Sequence, residues 1–191
     1  MLRSVAIVIV LGLTTSTVGC ARQVVLSKYG TRAGVTRTQG GSVASRPALH
    51  DGVDIKSYYR GDPVIASHPG VVVATNFTEK AGRTVTIRHK SGLFTVYVHL
   101  KTLVVKEQDD VARGQRIGTI GVFPYSDKVV HVHWMVCTNA TCTGPGELGG
   151  TADPLKYTVG CFDKRRRYQD TRLVLTYPVP CRNTSDGPRL P

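Results

Sequence analysis

Between residues 48 and 136 the chain is built from short β-branched runs that glycine or proline interrupts at nearly regular intervals. The clearest are PVIASHPGVVVATN, RTVTIRHKSGLFTVYVHL, TLVVKEQDDVARGQRIGTIG and VVHVHWMV. Val, Ile, Thr and Tyr fit a pleated, half-buried surface, and turn residues roughly every eight to twelve positions close one strand and start the next. Hardly any segment repeats with a helical period, and no heptad or internal repeat is present. The Lys90-Ser91-Gly92 step between two alternating runs reads as a hairpin turn. This pattern predicts an all-β fold, an antiparallel sheet domain. A chain of 191 residues is enough for one such domain with a proper core.

The two ends read differently. The opening MLRSVAIVIVLGLTTSTVGC has one early arginine, an apolar stretch over residues 5–13 and small residues leading to Cys20. That stretch is far short of the ~20 residues that span a bilayer. It reads as a signal peptide over residues 1–19. The ending TVGC resembles a bacterial lipobox, which implies lipidation of Cys20, a tether over residues 20–45 and anchoring to a membrane of the bacterial cell envelope. Five cysteines leave one over in an oxidising compartment, and lipidation would use it. The other four, Cys137, Cys142, Cys161 and Cys181, allow three pairings, of which the local one (Cys137 with Cys142, Cys161 with Cys181) is preferred. The domain is expected over residues 46–160 and a C-terminal extension over 161–191. Within the extension, DKRRRYQD reads as a solvated charge run, TRLVLTYPVPC as one further strand and the last ten residues as a frayed tail.

The formal charge of +12 suggests an anionic partner. No P-loop, zinc-finger spacing or RNP motif is present, so a nucleic-acid partner gains no support.

The chemistry lies in the histidines. On a strand, residues an even number apart share a face. His131 and His133 in HVH therefore point to one side, and Val130, Val132 and Trp134 to the other. His50 and Asp54 in HDGVD converge by the same rule, since Gly52 and the β-branched Val53 and Ile55 argue against a helix. His99 in FTVYVHLK is placed on the same face as Tyr97. Two imidazoles and a carboxylate suit Zn2+, and a catalytic zinc keeps three protein ligands and a water. His89 before the KSG turn is read as structural, and His68 in ASHPG as a turn residue without a role.

The order HxxxD, YxHL, HxH is similar to that of the lysostaphin-type (LytM-like) zinc endopeptidases, which cut peptide cross-links of bacterial cell walls. The resemblance runs over residues 27–157 and takes in GVDI, GDPVIASHPGVVV, VTIRHKSG, ARGQRIGTIG and DPLKY. It implies that His50, Asp54 and His133 hold zinc in a groove on the sheet, and that His99 and His131 flank the bound water as catalytic residues. The implied substrate is the stem peptide of peptidoglycan. Relatives of this kind that have lost ligands act as non-hydrolytic activators of other wall enzymes, and a protein substrate is a further alternative.

The sequence departs from the family pattern in several places. GVFPYSDKVV stands where a small glycine-rich loop precedes HxH, and Met135 replaces the usual Glu after the aromatic residue. Gly82-Arg83 replaces Gly-Asn, VKEQDDV is longer than the usual turn, and CTNATCTGPGELGGTA is inserted after the HxH strand. These changes alter the groove walls and leave every ligand and catalytic histidine in place. Oligomeric state is not readable from the sequence.

Overall fold

A computed structural model describes residues 23–32, 48–79, 81–121 and 129–181. Cys20, the expected signal peptide, most of the tether and of the loop before His131, and the last ten residues lie outside them.

Ten strands form one antiparallel sheet system: β1 (Val25–Ser27), β2 (Val53–Lys56), β3 (Pro63–Ile65), β4 (Gly70–Thr78), β5 (Gly82–Arg88), β6 (Phe94–Leu103), β7 (Asp110–Val111), β8 (Arg116–Ile120), β9 (His131–Cys137) and β10 (Thr151–Ala152). The main path runs β1-β2-β9-β6-β5-β4-β7, with β10 beside β9, and with β8 joining β3 to β6. The only helix among the described residues is a 3-10 turn, Pro154–Tyr157, capped by Asp153, whose carboxylate accepts from Leu155 N. The fold is all-β, in agreement with the patterning.

The alternation of each strand decides which face is dry. Val53 and Ile55 of β2, Val85 and Ile87 of β5, Tyr97 and Leu100 of β6, and Val132, Trp134 and Val136 of β9 are all fully buried in one cluster. Burying a side chain of this size is worth about 1.5–3 kcal/mol. β3 and β8 cover that face with Val64, Ile117 and Ile120. The opposite face carries Asp54, His131 and His133.

Residues 161–181, expected as an extension, join the same core through Leu173, Leu175 and Val179. The expected strand in TRLVLTYPVPC is reduced to a single bridge of Leu175 with Thr158. Pro178 and Pro180 have no N–H to continue a ladder. The segment is held by loop contacts in its place. Ile65 N donates to Pro178 O at 2.8 Å, and Thr176 N to Ser67 O at 3.0 Å. Arg113 donates to the Ser67 and Val174 carbonyls and to Asp170. Disulfides join Cys161 to Cys181 and Cys137 to Cys142.

His68 is not an idle turn residue. It is 1% exposed, its ring nitrogens lie 2.9 Å from Pro69 O and 3.1 Å from Arg172 O, and it meets His89 edge-on. His89 is buried too, with Nδ1 donating to Pro69 O and Nε2 2.8 Å from the Thr95 hydroxyl. Burial pushes its pKa down to about 4, against the backbone hydrogen bond, which raises it. The unfolded chain, titrating near 6.5, binds this proton more readily than the folded one. Stability is therefore expected to fall as pH drops from about 6.5 toward 4, by on the order of 3 kcal/mol for this group. Urea midpoints across that range should show the decline, and His89→Gln should lessen it, while His68 and His99, whose pKa values burial also lowers, keep the rest.

Candidate functional site

The register of β2 against β9 pairs Asp54 with His133 and Lys56 with His131. All four side chains therefore share the face away from the core. His50 lies just before β2, where its N–H donates to Thr31 O and its carbonyl accepts from Gly30 N, both at 2.8 Å. Across the face, His50 Nε2 is 3.0 Å from His133 Nδ1 and 3.3 Å from Asp54 Oδ1, and His133 Nδ1 is 3.0 Å from Asp54 Oδ1. Three donor atoms bonded tetrahedrally at ~2.0–2.1 Å would stand roughly 3.3 Å apart. His50, Asp54 and His133 form a group able to hold a metal ion, the only one found among the described residues.

The protons of these rings are assigned by their neighbours, because a carbonyl oxygen can only accept. His50 Nδ1 is 3.1 Å from Lys28 O, His131 Nδ1 is 2.9 Å from Val129 O, and His99 Nδ1 is 3.0 Å from Ala81 O. Each Nδ1 donates, so each neutral ring keeps its lone pair on Nε2. For His50 that lone pair meets His133 Nδ1 and Asp54 Oδ1. That lone pair and the Asp54 carboxylate repel one another at 3.3 Å unless a positive charge, a proton on His133 Nδ1 or a metal ion, sits among the three atoms, and the donor set fits a cation of the zinc type.

The electrostatics agree. Burial resists ionisation of Asp54, but the neighbouring His133 and His50 rings outweigh it and hold the carboxyl well below the usual range. Burial also opposes charge on His133, yet pairing with Asp51 and Asp54 lifts its pKa to about 9. The pocket favours one positive charge between two carboxylates.

His99 and Tyr97 do not share a face, contrary to the simple alternation. Tyr97 is fully buried, its hydroxyl accepting from Ser67 N at 2.9 Å. His99 has φ of +70°, a left-handed conformation that costs a non-glycine residue about 1–2 kcal/mol. This bulge turns His99 out of the core and onto the histidine face. Ala81 O accepts from both His99 N and Nδ1, and Gly121 N donates to His99 O. His99 and His131 then meet edge-on with ring centroids 4.9 Å apart, and His131 Nε2 lies 3.8 Å from Asp54 Oδ1. Burial, then the nearby His131, pushes the His99 pKa down to about 4, so this ring is neutral near pH 7.

All five residues singled out from the sequence thus come together. Asp51 was passed over, although it is adjacent to His50, and its carboxylate lies 3.2 Å from His133 Nε2. Alternation gave no hint of it, because residue 51 precedes the strand.

Gly52 is required by this packing. A Cβ there would come within 2.7 Å of Trp134 O and 2.8 Å of both His133 Cε1 and Met135 Cγ. Met135 can bend away, but the strand carbonyl cannot. Gly52→Ala is expected to cost about 1–3 kcal/mol through overpacking. It should also push His133 out of register with Asp54 and weaken metal binding. Urea unfolding together with a metal titration checks both effects.

Comparison with known proteins matches this architecture. The model of Peptidase family M23 matches residues 48–145. Peptidoglycan DD-endopeptidase ShyA of Vibrio cholerae is 43% identical over 79 residues, which are 41% of this chain and 18% of ShyA. Murein hydrolase activator NlpD of Escherichia coli is 35% identical over 81 residues, 42% of this chain and 21% of NlpD. The chain thus matches less than a quarter of the length of either. Among solved structures, the catalytic domain of the antimicrobial peptidase lysostaphin from Staphylococcus simulans superposes with a TM-score of 0.55 at 26% identity, over 71% of this chain and 91% of that one. The match spans β2 through β9, and with it every histidine of the groove, so the chain belongs to Peptidase family M23.

Proposed function

We propose that this chain is a zinc endopeptidase that hydrolyses peptide cross-links of bacterial peptidoglycan. The observation that carries the reading is the convergence of four imidazoles and one carboxylate on a single sheet face. Backbone carbonyls accept from Nδ1 of His50, His99 and His131, so that each neutral ring keeps its lone pair on Nε2. His50, Asp54 and His133 hold the zinc. Zinc held there would polarise a scissile carbonyl and lower the pKa of a bound water toward ~7. His131 and His99 share the remaining work: one imidazole takes the proton of the attacking water and passes it to the leaving amine, and the other hydrogen-bonds the developing oxyanion.

The same proposal extends to the envelope. Residues 1–19 act as signal peptide, Cys20 carries the lipid, residues 20–45 form the tether, 46–160 the peptidase domain and 161–191 a C-terminal extension, of which 161–181 pack on it. The pairing of Cys137, Cys142, Cys161 and Cys181 in two disulfides leaves Cys20 as the fifth cysteine, which supports lipidation. Basic charge suits stem peptides with free carboxylates.

The test is mass spectrometry of muropeptides after zinc-loaded protein acts on isolated peptidoglycan. Cross-linked dimers should fall and monomers rise, and the new termini identify the bond. The similarity to NlpD favours one second reading, a non-hydrolytic activator. Unchanged muropeptides with zinc bound, together with faster digestion by an added wall hydrolase, would establish that reading and remove ours.

A further inference from the structure

Each of the four site imidazoles needs an acceptor for the proton it carries on the nitrogen that is not to face the ligand atoms. For His50, His99 and His131 that acceptor is a main-chain carbonyl, from Lys28, Ala81 and Val129. His133 differs. It lies in the middle of the sheet, between β2 and β6, where the ladder uses the backbone carbonyls. The group near its Nε2 is a side chain, Asp51, with Oδ1 at 3.2 Å.

We propose that Asp51 is a positioning residue for the metal ligand His133. Its carboxylate keeps the ring proton on Nε2 and so leaves Nδ1 bare to face His50 and Asp54. This rests on the reading of His133 as a zinc ligand. The competing tautomer is close at hand: a proton on Nδ1 would donate to Asp54 Oδ1, 3.0 Å away. That single hydrogen bond would occupy two of the three ligand atoms at once. An acceptor on the Nε2 side shifts the balance back, and carboxylates next to ligating histidines act in this way generally.

The local chain is arranged for this contact. Gly52 lets the backbone pass so close to β9 that a Cβ there would stand 2.8 Å from His133 Cε1, which brings Asp51 up to the ring. Asp51 sits on the Nε2 edge, so it is not a fourth member of the ligand group, which comprises His50, Asp54 and His133. Its side chain is 50% exposed. Water therefore weakens the pairing, and the effect belongs at the lower end of the ~10–100-fold range for lost outer partners.

Because the acceptor is a side chain, it can be deleted. Asp51→Ala should weaken zinc binding about tenfold in competition with a chelator. Long-range 1H–15N spectra of the zinc-free variant, recorded above pH 9 where the ring is neutral, should show proton density moving from Nε2 to Nδ1 of His133. Asp51→Asn supplies an uncharged oxygen at the same place and should recover most of the affinity and the original tautomer, which a merely structural role would not predict. Zinc affinity within twofold of wild type in Asp51→Ala, with unchanged histidine spectra, would overturn the proposal. So would a raised KM with zinc binding intact, which would make Asp51 a substrate contact. A wild-type protein that takes up no zinc would refute the ligand reading itself, and this one with it.

Discussion

His133→Ala is expected to lose zinc and peptide cleavage together while keeping its fold. The loss of affinity should go well beyond the ~10–100-fold that removal of an outer partner costs. Two ligands would remain, and Asp54 would lose its 3.0 Å contact with Nδ1. The fold should survive because β9 is held from its other face. Val132, Trp134 and Val136 are fully buried, and the His133 ring takes no part in that cluster. Zinc content by mass spectrometry or atomic absorption, with circular dichroism as the control for folding, reads both halves. His50→Ala and Asp54→Ala should behave alike, since each supplies one corner of the same triangle. A His133→Ala protein that kept stoichiometric zinc would move the metal elsewhere and undo the assignment.

Much of this site was legible before any coordinates, and the reason is geometric. Period two is a rigid property of strands, so HVH gave two imidazoles on one face and three apolar residues on the other. The structure has that division. HxxxD was readable for the same reason, although only Asp54 of the pair lies in a strand and His50 is placed by hydrogen bonds to Gly30 and Thr31.

His99 marks where the rule stops. Strict alternation puts it beside Tyr97 in the core, and a single residue with φ of +70° reverses that. No local residue type announces the reversal, because a left-handed histidine is stabilised by partners far along the chain, Ala81 O above all. The roles of His68 and Asp51 were hidden in the same way, one by burial against Arg172 O and the other by pairing with His133. The C-terminal segment escaped for a different reason. Leu173, Leu175 and Val179 enter the core from loops broken by proline, so neither helical nor strand periodicity reveals them.

The second large effect separates chemistry from metal binding. His131→Ala and His99→Ala should each keep zinc at wild-type affinity and lose turnover by about 10²–10⁴-fold, the range for loss of a positioned acid–base group. Neither ring belongs to the triangle of ligand atoms, but His131 turns Nε2 toward it and His99 stands beside His131. The two variants should not be equivalent in binding. His131 stands on β9, two residues from His133, and its Nε2 lies 3.8 Å from Asp54 Oδ1. His99 comes from β6 on the opposite side, with its ring centroid 4.9 Å from that of His131 and 6.1 Å from that of His133. If they divide proton transfer from oxyanion stabilisation, the losses should multiply in the double variant, since oxyanion stabilisation survives removal of the acid–base group. Single-turnover cleavage of a cross-linked muropeptide with zinc saturating measures this directly. Undiminished cleavage by His131→Ala would remove the mechanism. A double variant scarcely slower than the worse single one would mean that the two imidazoles act as one unit and do not divide the work.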